Sequence, residues 1–411
     1  MNVYKFLAFF CLTSLFVQVQ AQNFSPLDSI IQIQIDKHNT PGAVALVIKD
    51  GKIIYDKAFG YSNLALKTPM STSSIFRIAS QTKAIVSVAC LQLVEKGLIE
   101  LDDPIEKYFP PFLQQKVVVG KPDVYQLVNK NRSITIRDLL SHQSGISSAD
   151  EYPGFAFLFK QYNLDKSLNG PYKTLAEEVE QIASMPLMHQ PGERFSYGLS
   201  TNVIGALIEK VANQSLDTYL KNNIFGPLGM NDTYFYLPKN KQDRLVKLYA
   251  KNTDTSLALV PPALFNADYP LQNNSHYFSA IGGLVSTTHD YAKFLSCLLA
   301  GGSLSNKKAL LSKPMIDSLT TNQLGAKTFI FGGFPSLNNF GLGVGLTSAK
   351  GQVINNASER SYFWGGAFNT AYMVDPKRKL ITLFFFQRTP FVLSSVLSSL
   401  EKATIKIVDQ N

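Results

Sequence analysis

The sequence predicts a mixed α/β (α+β) fold, an antiparallel sheet flanked by helices, with a mostly helical lobe inserted into it. Three observations carry this. Two strand-like runs joined by a tight-turn dipeptide stand near the start, successive strand-like runs stand near the end, and residues 105–279 between them read as short helices separated by loops.

Leu27, Ile30, Ile31 and Ile35 recur at helical spacing, which predicts a helix over 27–38 that Pro41-Gly42 ends. Ala43–Ile48 and Ile53–Ala58 flank Asp50-Gly51, the pair favoured in two-residue hairpins. Ala84–Val94 is apolar nearly all round, as a helix buried inside a domain must be, and Gly97 stops it. The texture then changes. From Ile105 to Ser279, helical patterns at 136–140, 175–183, 201–212 and 216–224 are separated by Pro, Gly, Asn and Ser, and little alternates like a strand. From Gly282 the mixed pattern resumes with a helix over 288–299, capped by Thr287 or Thr288. Strands are predicted at 340–346, 362–366, 370–374 and 380–386, the last two joined by a turn at Asp375-Pro376-Lys377, and a helix over 391–407 closes the chain. Residues 22–104 and 280–411 thus predict one discontinuous domain around the lobe 105–279.

The 411 residues, 45% hydrophobic and 17% charged, suffice for one large or two ordinary domains. The net charge of +9 comes from scattered lysines with no aromatic-basic stripe, which reads as a solvated surface and not a nucleic-acid site. Residues 1–21 differ from the rest. Lys5 precedes the apolar run Phe6–Val17, too short to span a bilayer, and Val19-Gln20-Ala21 offers small residues for cleavage. A secretory signal peptide is expected, with a secreted or periplasmic chain from about Gln22 and no stable membrane insertion afterwards. Cys11 lies inside that signal; Cys90 and Cys297 sit in apolar helical runs and read as buried free thiols. The sequence carries no signal of an oligomeric state.

Ser80 and Lys83 are three residues apart at the start of the buried helix, so the amine can reach the hydroxyl on one helical face. The same spacing recurs at Ser305/Lys308 and Ser399/Lys402, in a Gly-led polar stretch and a terminal surface helix. A lysine in the first turn of a buried helix is the unusual one. Its structural alternative is a snorkelling side chain with Ser80 as a cap. No histidine, carboxylate or cysteine cluster has metal-ligand spacing, and neither metal nor cofactor is expected.

With Ser80–Lys83, the stretches Ile134–Gly145, Pro191–Tyr197, Ile224–Met230 and Gly282–Thr287, in that order, resemble the serine β-lactamase and penicillin-recognising hydrolase superfamily, in its class C-like branch. The resemblance implies a β-lactamase/transpeptidase-like fold and an acyl-enzyme at Ser80. It also implies Lys83 and Tyr197 as proton carriers, and an oxyanion hole from the N–H groups of Ser80 and Ala367. Which of Lys83 and Tyr197 takes the serine proton stays open, because coupled groups titrate as a pair. His142 and His289 are set aside as bases, since the family supplies lysine and tyrosine.

Two positions depart from the family. Its tyrosine-x-asparagine has Leu199 in third place, and its lysine-threonine-glycine is matched by Trp364-Gly365-Gly366. Tyr61-Ser62-Asn63 precedes the nucleophile and reads as a decoy. Leucine and tryptophan cannot hold the amide and carboxylate of a β-lactam or peptide terminus, and such losses weigh heavily in discrimination. The pattern is instead similar to the family VIII carboxylesterases, with Trp364, Gly365, Gly366 and Leu199 expected at a small-molecule ester or amide substrate. A β-lactamase or D-amino-acid peptidase is the alternative, and a sensor lobe that acylates without turnover is a third reading.

Overall fold

The run beginning at Leu27 forms α1 (Ser25–Asp36), and Asp50-Gly51, at φ of 50° and 75°, turns β1 (Gly42–Lys49) into β2 (Lys52–Asn63). The positive φ at both positions is what a two-residue hairpin turn requires. The computed structural model describes residues 22–165, 171–261, 269–271, 276–304 and 309–410; the signal expected over 1–21 and the pair Ser305/Lys308 lie outside them.

After β3 (Thr68–Pro69) and β4 (Phe76–Arg77), a 3-10 turn at Ala79–Gln81 leads into α2 (Thr82–Glu95), buried from Thr82 to Leu93. Next come a hairpin, β5 (Lys116–Lys121) and β6 (Val124–Asn129), and the helices α3 (Ile136–Leu140), α4 (Ala156–Gln161), α5 (Leu175–Ser184), α6 (Ser200–Ala212), α7 (Leu216–Leu220) and α8 (Gly226–Leu228). The hairpin corrects the expectation that little here is strand. It is largely exposed, so its sequence lacks the alternation that a half-buried strand imposes.

Short strands β7 (Tyr249–Lys251), β8 (Leu257–Leu259) and β9 (Val285–Ser286) precede α9 (Thr288–Leu299), which Thr287 caps by accepting from Asp290 N–H. Then follow α10 (Lys313–Leu319), the small hairpin β10 (Ile330–Phe331) and β11 (Phe334–Pro335), β12 (Asn339–Phe340), β13 (Gly345–Leu346) and α11 (Gln352–Asn355). The single strand expected over 340–346 is broken where Gly341 N–H closes a turn onto Val344 and Gly343 adopts φ of +87°. β14 (Tyr362–Gly366), β15 (Thr370–Asp375), β16 (Leu380–Phe386), β17 (Arg388–Thr389) and α12 (Ser394–Asp409) complete the chain.

The main sheet has the order β12-β13-β14-β15-β16-β1-β2-β3 and is antiparallel throughout. β1 against β16, in the register Ala43↔Phe386 to Lys49↔Leu380, joins the two ends of the chain. Because side chains alternate across a strand, β1 serves two cores. Ala43, Ala45 and Val47 pack with Leu27, Ile31, Leu397 and Leu400 of α1 and α12. Val44, Leu46 and Ile48 face the larger core that holds α2 and the helices of the inserted segment. α2 therefore lies between sheet and lobe, with its first turn beside the edge of β14.

Candidate active site

Ala79, immediately before Ser80, has φ of +43°, a left-handed backbone that is strained for alanine. Neighbouring contacts hold this segment. Ile78 N–H donates to the Leu284 carbonyl (3.1 Å), Leu284 N–H donates to Thr82 Oγ1 (3.2 Å) and the Tyr291 hydroxyl donates to the Gln81 carbonyl (2.9 Å). The result is a Ser80 side chain that is only part-buried on an otherwise buried helix start.

Lys83 is 3% exposed, and its Nζ donates to Ser80 Oγ at 3.2 Å and to the Ile281 carbonyl at 2.6 Å. Burial lowers its pKa to about 7, since the charged ammonium loses its water. The Nζ also lies 4.7 Å from the centroid of the Tyr197 ring. The Tyr197 hydroxyl is buried without a complete hydrogen bond. Burial pushes its pKa up to about 12, against the pull of the nearby Ser80 hydroxyl and Trp364 indole. The structure thus brings Ser80, Lys83, Tyr197 and Trp364 together.

Tyr362, Trp364 and Gly366 share one face of β14, and Gly366 meets the segment that leads into Ser80 directly. A Cβ at Gly366 would stand 2.3 Å from the Ile78 carbonyl and 2.5 Å from Thr370 Oγ1. Ala367 follows, exposed, in a turn closed by Asn369 N–H on the Gly366 carbonyl at 2.9 Å. Asn369, at φ of 65°, anchors this turn with all four of its amide bonds: to the carbonyls of Arg388 and Pro390, and from the N–H groups of Val392 and Leu393.

Trp364 is 5% exposed with an unpartnered indole N–H, inside an aromatic wall. Its ring centroid is 5.6 Å from Tyr197, 5.5 Å from Phe331, 5.2 Å from Phe340 and 6.2 Å from Phe329. Phe331, on the β10–β11 hairpin, also reaches Tyr197 at 5.2 Å. The tip of that hairpin is tied by Gly332 N–H to Glu151 at 3.1 Å. No pattern in the sequence marked Phe331, because the hairpin is local and its target is distant.

Leu199 corrects an expectation. It packs in the apolar core of the lobe, lining a small cavity with Ile146, Phe159, Leu164 and Ile182, and not beside Ser80. The turn at Gly198, where a Cβ would lie 2.2 Å from the Ser147 backbone, sends Tyr197 and Leu199 to different surroundings. His142 is buried with its ring centroid 4.7 Å from Tyr197, and burial and the Lys83 charge hold its pKa well below the usual range. It is a neutral packing partner of the tyrosine. His289 instead meets Asp56 at 2.9 Å. Tyr61-Ser62-Asn63 ends β2, paired with the edge strand β3, and there Asn63 accepts from Ala65 N–H; Ser399 bonds its own helix at Ser395. Cys90 and Cys297 are buried and free.

A part-exposed serine hydroxyl against a buried amine, on an antiparallel sheet backed by helices, defines a serine hydrolase of the β-lactamase/transpeptidase-like fold. The chain belongs to the Beta-lactamase family, whose profile matches residues 27–396. It is similar to the lovastatin esterase of Penicillium rubens, 28% identical over 375 residues that cover 86% of this chain and 90% of that protein. It is also similar to the monacolin J acid methylbutanoyltransferase of Aspergillus terreus, at 26% over 384 residues, 89% of this chain and 91% of the other. Among solved structures, EstCE1, described as a hydrolase with promiscuous acyltransferase activity, superposes with a TM-score of 0.78 at 21% identity, covering 92% of this chain and 97% of its own. No helix among the described residues is long and apolar enough to cross a membrane.

Proposed function

We propose that the protein is a secreted or periplasmic carboxylesterase that forms an acyl-enzyme at Ser80. The observation that carries the reading is the Lys83 amine, buried and 3.2 Å from the serine hydroxyl, with its pKa lowered to about 7 by that burial. Lys83 takes the proton as Ser80 Oγ attacks the ester carbonyl, and Tyr197 returns a proton to the leaving alkoxide. The N–H groups of Ser80, in the first turn of a helix, and of Ala367, in the anchored turn, receive the oxyanion. Water then attacks the acyl-enzyme by the reverse proton path. The aromatic wall, with Trp364 where an ammonium would be needed, supports an apolar ester over a β-lactam or peptide carboxylate. The named activity of the Penicillium rubens relative, an esterase, supports the same choice. The location rests on the sequence of residues 1–21, and N-terminal sequencing of secreted material tests it.

Turnover of a short-chain p-nitrophenyl ester and of a chromogenic cephalosporin by one preparation tests the substrate class. Faster cephalosporin hydrolysis would overturn it. Gly366→Ala is expected to lower kcat on the order of 100-fold, because the methyl displaces β14 from the Ile78 carbonyl and spoils the donor at Ala367. Steady-state kinetics on the folded variant check this. Phe331→Ala opens the aromatic wall and is expected to shift the kcat/KM ratio of branched over acetyl esters about tenfold toward the bulky acyl group. A ratio equal to that of the unmodified enzyme removes Phe331 from the pocket.

A further inference from the structure

The carbonyl that holds Lys83 is itself held. Ile281 N–H donates to Asn202 Oδ1 at 3.0 Å, and Asn202 Nδ2 donates to Glu178 Oε2 at 2.6 Å and to the Tyr277 hydroxyl at 3.3 Å. The Tyr277 hydroxyl donates to the same Glu178 oxygen at 2.8 Å. Asn202, near the start of α6, is 0% exposed and Glu178, on α5, is 2% exposed. We propose that Asn202 and Glu178 are positioning residues for the reaction at Ser80. They fix the place of the Ile281 main chain and, through its carbonyl, the aim of the Lys83 amine at the serine hydroxyl. The inference rests on Lys83 as the base.

The chemistry of the groups gives the chain of contacts a direction. Ile281 N–H needs an acceptor, so Asn202 turns its amide oxygen toward it and its NH2 group toward Glu178, whose carboxyl oxygen accepts. The N–H and C=O of Ile281 belong to different peptide planes, so the link is mechanical and relays no charge. A buried carboxyl is costly without such partners, and burial pushes Glu178 up to about 7 while Tyr277 and Asn202 pull it down. The titrating groups around Lys83 are Tyr197 and His142, and those around Glu178 are Tyr277 and Tyr172. None of these belongs to both sets. Loss of its carbonyl acceptor makes the ammonium of Lys83 less stable, so the acidic limb of the pH profile moves to lower pH while the misaimed amine slows the chemistry.

The test is the pH dependence of kcat and kcat/KM for p-nitrophenyl butyrate, scaled to the folded fraction read by circular dichroism. Asn202→Leu and Glu178→Leu are expected to lower kcat roughly 10- to 100-fold with KM little changed, and to move the acidic limb downward. Glu178→Gln keeps an acceptor at the same place and is expected to restore both. Full kcat in Asn202→Leu, or a loss with the limb unmoved, overturns the proposal. Where Asn202→Leu yields no folded protein, the two Glu178 variants decide by the same criteria. Lys83→Ala separates the two readings: if it stays active, the base assignment falls and this proposal with it. If it is inactive while Asn202→Leu is unimpaired, only the positioning role falls.

Discussion

Ser80→Ala is expected to lower kcat for p-nitrophenyl butyrate on the order of 10^6-fold while leaving the fold intact. Removing the nucleophile from a serine hydrolase leaves only binding and oxyanion stabilisation, which act weakly on a water attack. The residue is part-exposed and its hydroxyl accepts one bond, from Lys83, so little packing is lost. The measurement pairs ester kinetics with thermal unfolding. An active Ser80→Ala protein of unchanged Tm would move the nucleophile elsewhere. Ser399→Ala serves as the control, because that hydroxyl only bonds the exposed carbonyl of Ser395.

Lys83→Met is expected to produce the second largest loss, about 10^3- to 10^4-fold in kcat, the range that general base catalysis supplies. It should also make the protein more stable. The lysine titrates near 10.5 when unfolded and near 7 when folded. Between those values the unfolded chain binds a proton that the folded chain does not, so stability rises with pH across the window and is lowest below about pH 7. At neutral pH the penalty is about 4 kcal/mol, of which methionine in the same slot recovers a part. Kinetics and Tm measured together check the opposed signs, an exchange of stability for activity. In the unmodified enzyme the same pKa sets the working range: kcat/KM should rise with pH through about 7 as the amine loses its proton. A profile flat from pH 5 to 9 would remove Lys83 as the base.

Much of the site is readable in sequence where the geometry is local. Ser80 and Lys83 meet because three residues on one helix turn bring side chains to one face, whatever the rest of the chain does. Tyr197 and the Trp364-Gly365-Gly366 edge follow from ordered segments, and strand alternation then puts Trp364 and Gly366 on one side. Leu199 shows the limit. Its place in the family's tyrosine-x-asparagine motif implied a place at the substrate, but the Gly198 turn parts its side chain from that of Tyr197. Glu178 carried a usable signal, since it falls on the buried stripe of Leu175, Val179 and Ile182 where a carboxylate needs a partner. Ile281 carried none, because a main-chain carbonyl has no residue type.

By itself, then, the amino-acid order determined most of the elements, the serine and lysine that share one helical face, and the superfamily, all of which depend on spacing within short windows. Only the tertiary structure decided that the amine is dehydrated, that Phe331 closes on Tyr197 and Trp364, and that Asn202 and Glu178 stand behind Ile281. Each of those depends on burial or on contacts between distant segments. Desolvation and hydrogen bonding are set by what surrounds a group in space, and a linear order of residues does not state that until the chain has packed.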